Sequence, residues 1–481
     1  MRTRKLVSAL ALVVAVAVAS VARPQTQSPA QFPDTPAAKQ FAAWLAAFNS
    51  GDRETILHFF EKSMPERVAH IDDTLGFRKQ TGGFDFVKAQ DSTATRLTGL
   101  VQEKASGRMA RFEIEVDAAE PHRILNLNLE LVSQEAGPPP VRVSESEAIS
   151  ALKAELEKQT AGDTFSGAVL VAKNGKTIFS NAYGLADRTK KIPNTLDTLF
   201  RLGSMNKMFT AVATLQLVQA GKIQLDAPLG KYITDYPNKE VASKVTIHQL
   251  LTHTGGTGDF FGPEFDAHRL ELHTLQDYVN LLGKRGPGFE PGSKFEYSNF
   301  GFILLGVVIE RVSGQSYYEY VQERVFKPAG MTATNSLPED QAVPNRSVGY
   351  MKPEGGGGWT PNTDTLPYRG TSAGGGYSTV GDLLRFAVAL TGHKLLNEHF
   401  TELLTTGKVA VGPVAKYAYG FDDRTVDGVR SFGHGGGAPG MNGELRIYPQ
   451  SGYVTAVLAN LDPPAATRIS QFIGNRLPAN P

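Results

Sequence analysis

The stretch Leu199-Phe200-Arg201-Leu202-Gly203-Ser204-Met205-Asn206-Lys207-Met208-Phe209 decides how this 481-residue chain is read. It places Ser-x-x-Lys at the start of a helix that continues through Val212, Leu215 and Val218 and stops at Gly221. Residues three apart on a helix are neighbours, so Ser204 and Lys207 share a face. The helix N-terminus adds partial positive charge that favours an alkoxide. A neutral lysine held close can accept the proton of a serine hydroxyl, which is a weak nucleophile until it is activated. The pattern alone is a weak signal, because Ser150-Ala151-Leu152-Lys153 repeats it inside a charged amphipathic helix, where a solvated face accounts for it.

Two elements downstream sharpen the reading. Phe295-Glu296-Tyr297-Ser298-Asn299-Phe300-Gly301-Phe302 enters an apolar helix through Leu304, Leu305 and Val308 that ends at Gly314. Tyr-x-Asn also occurs at Tyr236-Pro237-Asn238, read as a turn, and at Tyr278-Val279-Asn280, read as part of a helix. Tyr297 differs in preceding a helix start, where loop side chains can point into a cleft. The third element, Gly433-His434-Gly435-Gly436-Gly437-Ala438-Pro439-Gly440, stands just before a strand near Gly443. Glycines let backbone approach a substrate closely and expose N–H donors. A glycine-rich turn joining two strands is an equal reading of that segment alone.

In this order the three elements resemble the serine β-lactamase and penicillin-binding superfamily, nearest its class C β-lactamase, D,D-peptidase and esterase branch. The resemblance extends from about Gly167 to Asn460. Val245-Thr246-Ile247-His248-Gln249-Leu250-Leu251-Thr252-His253-Thr254-Gly255-Gly256, Val325-Phe326-Lys327-Pro328-Ala329-Gly330-Met331 and Gly375-Gly376-Tyr377-Ser378-Thr379-Val380-Gly381-Asp382-Leu383 support it. It implies an acyl-enzyme mechanism in which Ser204 attacks a carbonyl, Lys207 and Tyr297 handle its proton, and water later releases the acid. Asn299 would help hold the lysine and the substrate, and the backbone N–H groups of Ser204 and Gly437 would form the oxyanion hole. No metal or organic cofactor enters such a mechanism, and the partner implied is a small-molecule or peptide-like substrate. One departure matters. Where β-lactamases carry Lys-Thr-Gly, this chain has His434-Gly435-Gly436, which replaces a permanent cation and a hydroxyl with a histidine mostly neutral at pH 7 and a bare glycine. Both lost groups engage a substrate carboxylate in the family. The reading therefore moves toward an ester, amide or peptide bond, with β-lactamase activity or a non-catalytic penicillin-binding-like sensing module as alternatives. His434 and Gly436 remain candidate substrate or oxyanion residues.

A second nucleophile competes. Gly370-Thr371-Ser372-Ala373-Gly374 matches Gly-x-Ser-x-Gly, and Asp382 and His434 follow in the order of α/β-hydrolases. That elbow needs a buried strand before its serine, whereas Trp359 to Arg369 is polar and carries Pro361 and Pro367. Ser372 is expected in a loop near the cleft.

The rest of the chain sets the context. Lys plus Arg (49) against Asp plus Glu (48) leaves a net charge of +1, with no long run of one sign to track phosphates, which argues against nucleic acid. The chain has no cysteine, hence no disulfide, thiol nucleophile or lipidated cysteine. His248 and His253 approach ligand spacing, but no HExxH occurs, and structural roles are expected instead of a metal. Arg2, Arg4 and Lys5 precede an apolar stretch from Leu6 to Ala19 and small residues up to Ala22, the pattern of a signal peptide over 1–22. A periplasmic or secreted protein is expected. The apolar stretch is shorter than the roughly 20 residues that span a bilayer, so no stable membrane span remains after cleavage. Nothing in the sequence sets an oligomeric state.

Residues 32–134 read as a small α+β domain. Two helices flank the turn Asn49-Ser50-Gly51-Asp52, and strand-like runs follow at Ala94–Gln102, Arg108–Val116 and Arg123–Leu131. This resembles the cone-shaped nuclear-transport-factor and SnoaL group. Gly137-Pro138-Pro139-Pro140 makes 135–143 a stiff linker. Residues 144–478 are then the hydrolase domain. It opens with a helix from Glu145 to Lys158 and a hairpin at Asn174-Gly175. It closes with strands Gly443–Tyr448 and Tyr453–Asn460 and a helix from about Ala465 to Asn475. Strands at both ends with helices between them predict an α+β fold, one antiparallel sheet flanked by helices beside a helical region.

Overall fold

A computed structural model describes residues 32–104, 109–131, 142–353, 358–412 and 414–480. The expected signal peptide, the proline run of the linker, most of the turn after Lys104 and the glycines Gly355 to Gly357 lie outside the described residues. The chain divides between Glu130 and Leu131 into two units.

In the first unit Thr35 accepts from Ala38 N (3.3 Å) and Pro36 opens the helix Pro36–Ser50. Asp52 accepts from Thr55 N (2.8 Å) and starts the helix Arg53–Ser63. A third helix, Ile71–Thr81, leads into four antiparallel strands in sequential order, Phe84–Ser92, Arg96–Glu103, Met109–Val116 and Ile124–Leu131. The strand Phe84–Ser92 was not expected from sequence. It sits at the sheet edge, and Lys88 and the register shifts between Phe86 and Lys88 and between Ala89 and Asp91 break its apolar alternation. Phe41, Phe48, Phe84 and Phe112 centre this unit's core, with Phe41 stacked on Phe112 at 3.7 Å.

The second unit is built on one eight-stranded antiparallel sheet. Its order is Val409–Ala410, Ala415–Tyr417, Asp422–Val426, Val429–Ala438, Met441–Tyr448, Tyr453–Ala459, Gly167–Lys173 and Lys176–Tyr183. Tyr453–Ala459 pairs with Gly167–Lys173 in the register Ala456 to Leu170, which joins the two ends of the unit in one sheet. Apart from Thr455 and Lys173 these two strands are apolar, and all but Lys173 of their residues are buried, because both sheet faces are covered. Ala168, Leu170, Ala172, Ala456 and Leu458 face one core, while Val169, Val171, Val457 and Ala459 face another. The second core is closed by the helices Glu145–Ala161 and Ala465–Gly474 through Leu152, Leu156, Ile469 and Ile473.

Across the first face lies the helical region. The helix Asn206–Gln219 is buried from Asn206 to Leu215 on every side, and an all-round apolar helix belongs at the centre of a fold. Beside it runs Asn299–Ser313, buried from Asn299 to Ile309. Each fully buried Leu, Val, Ile or Phe along these helices contributes about 1.5–3 kcal/mol, so their placement, and that of the groups at their N-terminal ends, is firmly fixed. Among the described residues no helix is long and apolar enough to cross a membrane.

Candidate active site

Ser204 does not lie in the α-helix itself but in a single 3₁₀ turn, Gly203–Met205, that leads into it at Asn206. The turn exists because Gly203 adopts φ +51°, and a Cβ there would stand 2.9 Å from Gly437 N. Ahead of it the short strand Phe200–Arg201 pairs with Tyr377–Ser378. The loop between Thr371 and Gly376 braces the same turn, with Leu202 N donating to Gly376 O (2.7 Å) and Gly375 N to Gly203 O (3.1 Å). In return, Asn206 Nδ2 donates to Thr371 O (3.1 Å) and Thr210 Oγ1 to Ser372 O (2.7 Å).

Lys207, one residue into the helix, has no exposed surface. Its Nζ lies 3.2 Å from Ser204 Oγ, donates to Asn299 Oδ1 (2.6 Å) and Ala373 O (2.7 Å), and lies 4.8 Å from the Tyr297 ring centroid. Burial pulls its pKa down from 10.5 to about 7, against the opposing pull of the Asp259 charge. Asn299 begins the helix Asn299–Ser313. Ser298 caps that helix by accepting from Gly301 N (2.9 Å). On its other side Asn299 Nδ2 donates to Asp259 Oδ2 (2.8 Å).

Tyr297 precedes the cap. Its ring is 36% exposed on one side, while its hydroxyl bonds to Ser204. Desolvation of the hydroxyl end raises the phenol above its ordinary value and outweighs the opposing bond to Ser204, so Tyr297 is protonated at neutral pH. Behind it His253 lies buried at φ +58° and 4.2 Å from the Tyr297 ring. His253 Nδ1 accepts from Ser298 N (3.0 Å), which leaves the proton on Nε2. Desolvation, then the charge of Lys207, holds His253 well below its ordinary pKa.

The glycine-rich segment is a strand and not a turn. Val429–Ala438 pairs with Met441–Tyr448 along its length, whereas on the other side its pairing with Asp422–Val426 stops at Gly433. Residues 434–438 thus present an edge to the Ser204 turn. A Cβ at Gly436 would stand 1.9 Å from Leu202 O and 3.0 Å from Ser204 N, so this approach requires glycine. Gly436 accordingly brings backbone against Ser204 N, as Gly203 does against Gly437 N, and these two amides are the donors expected of the oxyanion hole.

His434 has both ring nitrogens engaged. Nδ1 lies against Gly435 O, which only accepts, so Nδ1 carries the proton and Nε2 accepts from the Tyr417 hydroxyl (3.0 Å). Burial lowers its pKa to about 4, so it is neutral at pH 7. Next to it stands a buried charged group. Burial alone would raise the Asp422 pKa, but Arg424 (2.7 Å) and Arg446 (3.0 Å) hold it far below the carboxylate range. Arg446 also pairs with Glu444 (2.7 Å). Asp422, Arg424 and Glu444, with Tyr297, Tyr417 and His434, line a cleft of about 250 Å³.

Ser204, Lys207, Tyr297, Asn299, His434, Gly436 and Gly437 therefore converge from three separate segments. Asp259, the Ala373 carbonyl and His253 join them without having been singled out for such a place by sequence. Each acts through a contact spanning tens to more than a hundred residues, for which no local pattern exists. The competing Ser372 is fully buried in the 371–376 loop with no strand leading into it. Asp382 binds Ala333 N (2.8 Å), Thr334 (2.7 Å) and Arg385 (2.6 Å) and makes no pair with His434. Among the described residues no cluster of three or more His, Cys, Asp or Glu is arranged to hold a metal.

Comparison with known proteins agrees with this fold. The family described as Beta-lactamase matches residues 152–477. Penicillin-binding protein 4* of Bacillus subtilis is 33% identical over 195 residues, 39% of this chain, and the chain spans only 42% of that relative. Esterase EstB of Burkholderia gladioli is 30% identical over 331 residues, 61% of this chain and 83% of its own. The crystal structure of a penicillin binding protein from Bacillus halodurans superposes with a TM-score of 0.62 at 35% identity, covering 66% of this chain and 99% of that one. With its antiparallel sheet, flanking helices and buried Ser-x-x-Lys, the chain belongs to the beta-lactamase family of serine hydrolases.

Proposed function

We propose that this chain is an exported hydrolase that cleaves an ester, amide or peptide bond through an acyl-enzyme on Ser204. The observation that carries the reading is the environment of Lys207 Nζ, 3.2 Å from Ser204 Oγ and with a pKa of about 7. A neutral amine has two N–H groups and one lone pair. Asn299 Oδ1 and Ala373 O, the two closest acceptors, occupy the N–H groups, which leaves the lone pair directed at the serine hydroxyl. Lys207 then takes the Ser204 proton as the oxygen attacks the carbonyl. The oxyanion is received by the amides of Ser204 and Gly437, a contribution worth about 10²–10³ in rate per donor. Protonated Tyr297, bonded to Ser204, passes a proton to the leaving group and recovers one from the Lys207 ammonium, which returns both groups to their starting states before they serve water in the second step. Export rests on Arg2, Arg4, Lys5 and the apolar run from Leu6 to Ala19.

A β-lactam substrate is the second reading, favoured by the penicillin-binding names of relatives. Against it stands neutral His434 at the position of the family's lysine, which supplies no cation for a substrate carboxylate. The test is release of p-nitrophenol from a short-chain acyl ester by the wild type and Ser204→Ala, with a chromogenic cephalosporin beside it. Ester turnover lost in Ser204→Ala, with little cephalosporin turnover, is expected. Activity that survives Ser204→Ala and disappears in Ser372→Ala would sink the assignment.

A further inference from the structure

We propose that Asp259 is a positioning residue of this site, fixing the Asn299 amide so that its oxygen faces Lys207 and the lysine lone pair is left for Ser204. The inference rests on the acyl-enzyme reading and adds the element that makes Lys207 directional. An asparagine amide has two nearly isosteric ends, and rotating it by half a turn would present Nδ2 to Lys207. In that orientation Lys207 would lose an acceptor, and its lone pair would be drawn to the amide N–H instead of the serine. An ionised carboxylate only accepts hydrogen bonds. Asp259 Oδ2, 2.8 Å from Asn299 Nδ2, therefore allows one orientation, with Oδ1 at 2.6 Å from Lys207 Nζ.

Asp259 is itself held. Its Oδ1 accepts from Phe261 N (3.1 Å) and its carbonyl from Arg285 Nη1 (3.1 Å). The preceding carbonyl, Gly258 O, accepts from Ser298 Oγ (2.5 Å), the hydroxyl that also caps the helix carrying Asn299. Loop and helix start are thus tied at two adjacent points, which keeps the Asp259 backbone beside the start of the helix that carries Asn299.

The groups around Lys207 come from every element packed on it. They are Ser204 from the 3₁₀ turn, Tyr297 and Asn299 from the approach to the second helix, the uncharged Ala373 carbonyl from the 371–376 loop, His253 from behind Tyr297, His434 from the strand edge and Asp259 from its own loop. Tyr297, His253 and His434 are neutral at pH 7 for the reasons above. The charge that acts on Lys207 is that of Asp259, which favours the ammonium.

The test uses the full chain, with a p-nitrophenyl ester as substrate and kcat and KM measured across the acid limb of the pH profile. In Asp259→Asn the amide of Asn299 is free to rotate and the favouring charge is gone. The value of kcat falls about tenfold, part of the roughly 10²–10⁴ that a positioned base is worth, with KM unchanged. The acid limb moves to lower pH. Asp259→Glu, which keeps the charge and an acceptor, restores the limb. Limb position does not depend on the amount of active protein, so partial misfolding of a variant cannot imitate or conceal the shift. A limb that stays in place in Asp259→Asn overturns the inference, whatever the rate. Labelling of Ser204 by an acylating probe separates the two levels. A labelled wild type with an unmoved limb in the variant overturns the role of Asp259 alone, and an unlabelled wild type overturns the acyl-enzyme reading and this inference with it.

Discussion

A lysine surrounded by carbonyls, with no carboxylate touching it, gives up hydration for little in return, and its ionisation records the loss. The Lys207 pKa of about 7 sets the acid limb of activity near neutrality, because the neutral amine is the base. Turnover is expected to rise as pH passes through about 7. It should show no alkaline fall from Tyr297 below pH 10, since that phenol is raised above its ordinary value. A pH series of kcat/KM with the ester checks both. The same displacement links folding to pH. Between pH 7 and 10.5 the unfolded chain carries the Lys207 proton and the folded chain does not, so stability rises with pH by up to about 1.4 kcal/mol per unit from this one group. Denaturant unfolding of wild type and Lys207→Met from pH 7 to pH 10 should show that slope in the first and lack it in the second. Any difference from lost hydrogen bonds is an offset that leaves the slope untouched. Ser204 and Lys207 were legible in the sequence because Ser-x-x-Lys is followed in order by the Tyr297 and glycine-rich elements, whereas helical spacing alone fits Ser150 and Lys153 as well. Tyr297 was separable from Tyr236 and Tyr278, which are buried in the core, because it precedes a helix cap. Asp259 was not legible, since its contact with Asn299 spans forty residues.

Between the nucleophile turn and the edge of the sheet, backbone meets backbone with no side chain in the gap. At Gly436 an added methyl group would overlap Leu202 O at 1.9 Å, whereas at Gly435 it would meet nothing nearer than Gly443 O at 3.6 Å. Gly436→Ala must push the strand away from Ser204 N and should lower kcat/KM about 10²-fold or more, the cost of a lost oxyanion donor. Gly435→Ala should stay within a few-fold, and ester kinetics on the two variants make the comparison. The sequence reading allowed this segment to be a turn because three successive glycines carry no alternation of side chains. Only the pairing of Gly435 with Glu444 and of His434 with Leu445 defines it as a strand. Those partners bring a second consequence. Arg446 is 4% exposed and holds both Asp422 and Glu444. Removing one member of such a group leaves buried charge uncompensated, so Arg446→Met should destabilise the unit by about 3–5 kcal/mol in urea unfolding.

At the scale of the whole chain, every group of the site lies beyond Leu131, in a unit whose sheet is closed by pairing of Gly167–Lys173 with Tyr453–Ala459. That closure was readable in outline, since apolar strands at both ends with helices between them have to bury their faces together. The order of the intervening strands was not, because Val409–Ala410, Ala415–Tyr417 and Asp422–Val426 are too short to show an alternating pattern and owe their place to neighbours. The first unit has a separate core, in which Phe41, Phe48 and Phe112 pack among themselves, and it supplies none of the hydrogen bonds described at Ser204 or Lys207. A chain of roughly 350 residues buries about three quarters of its surface on folding and is large enough to stand alone. A protein starting at residue 135 is therefore expected to fold and to hydrolyse a small p-nitrophenyl ester with the kcat/KM of the full chain. A loss confined to kcat would mean that the first unit shapes the Ser204 machinery. A loss only with longer, peptide-like substrates would assign that unit to substrate recognition.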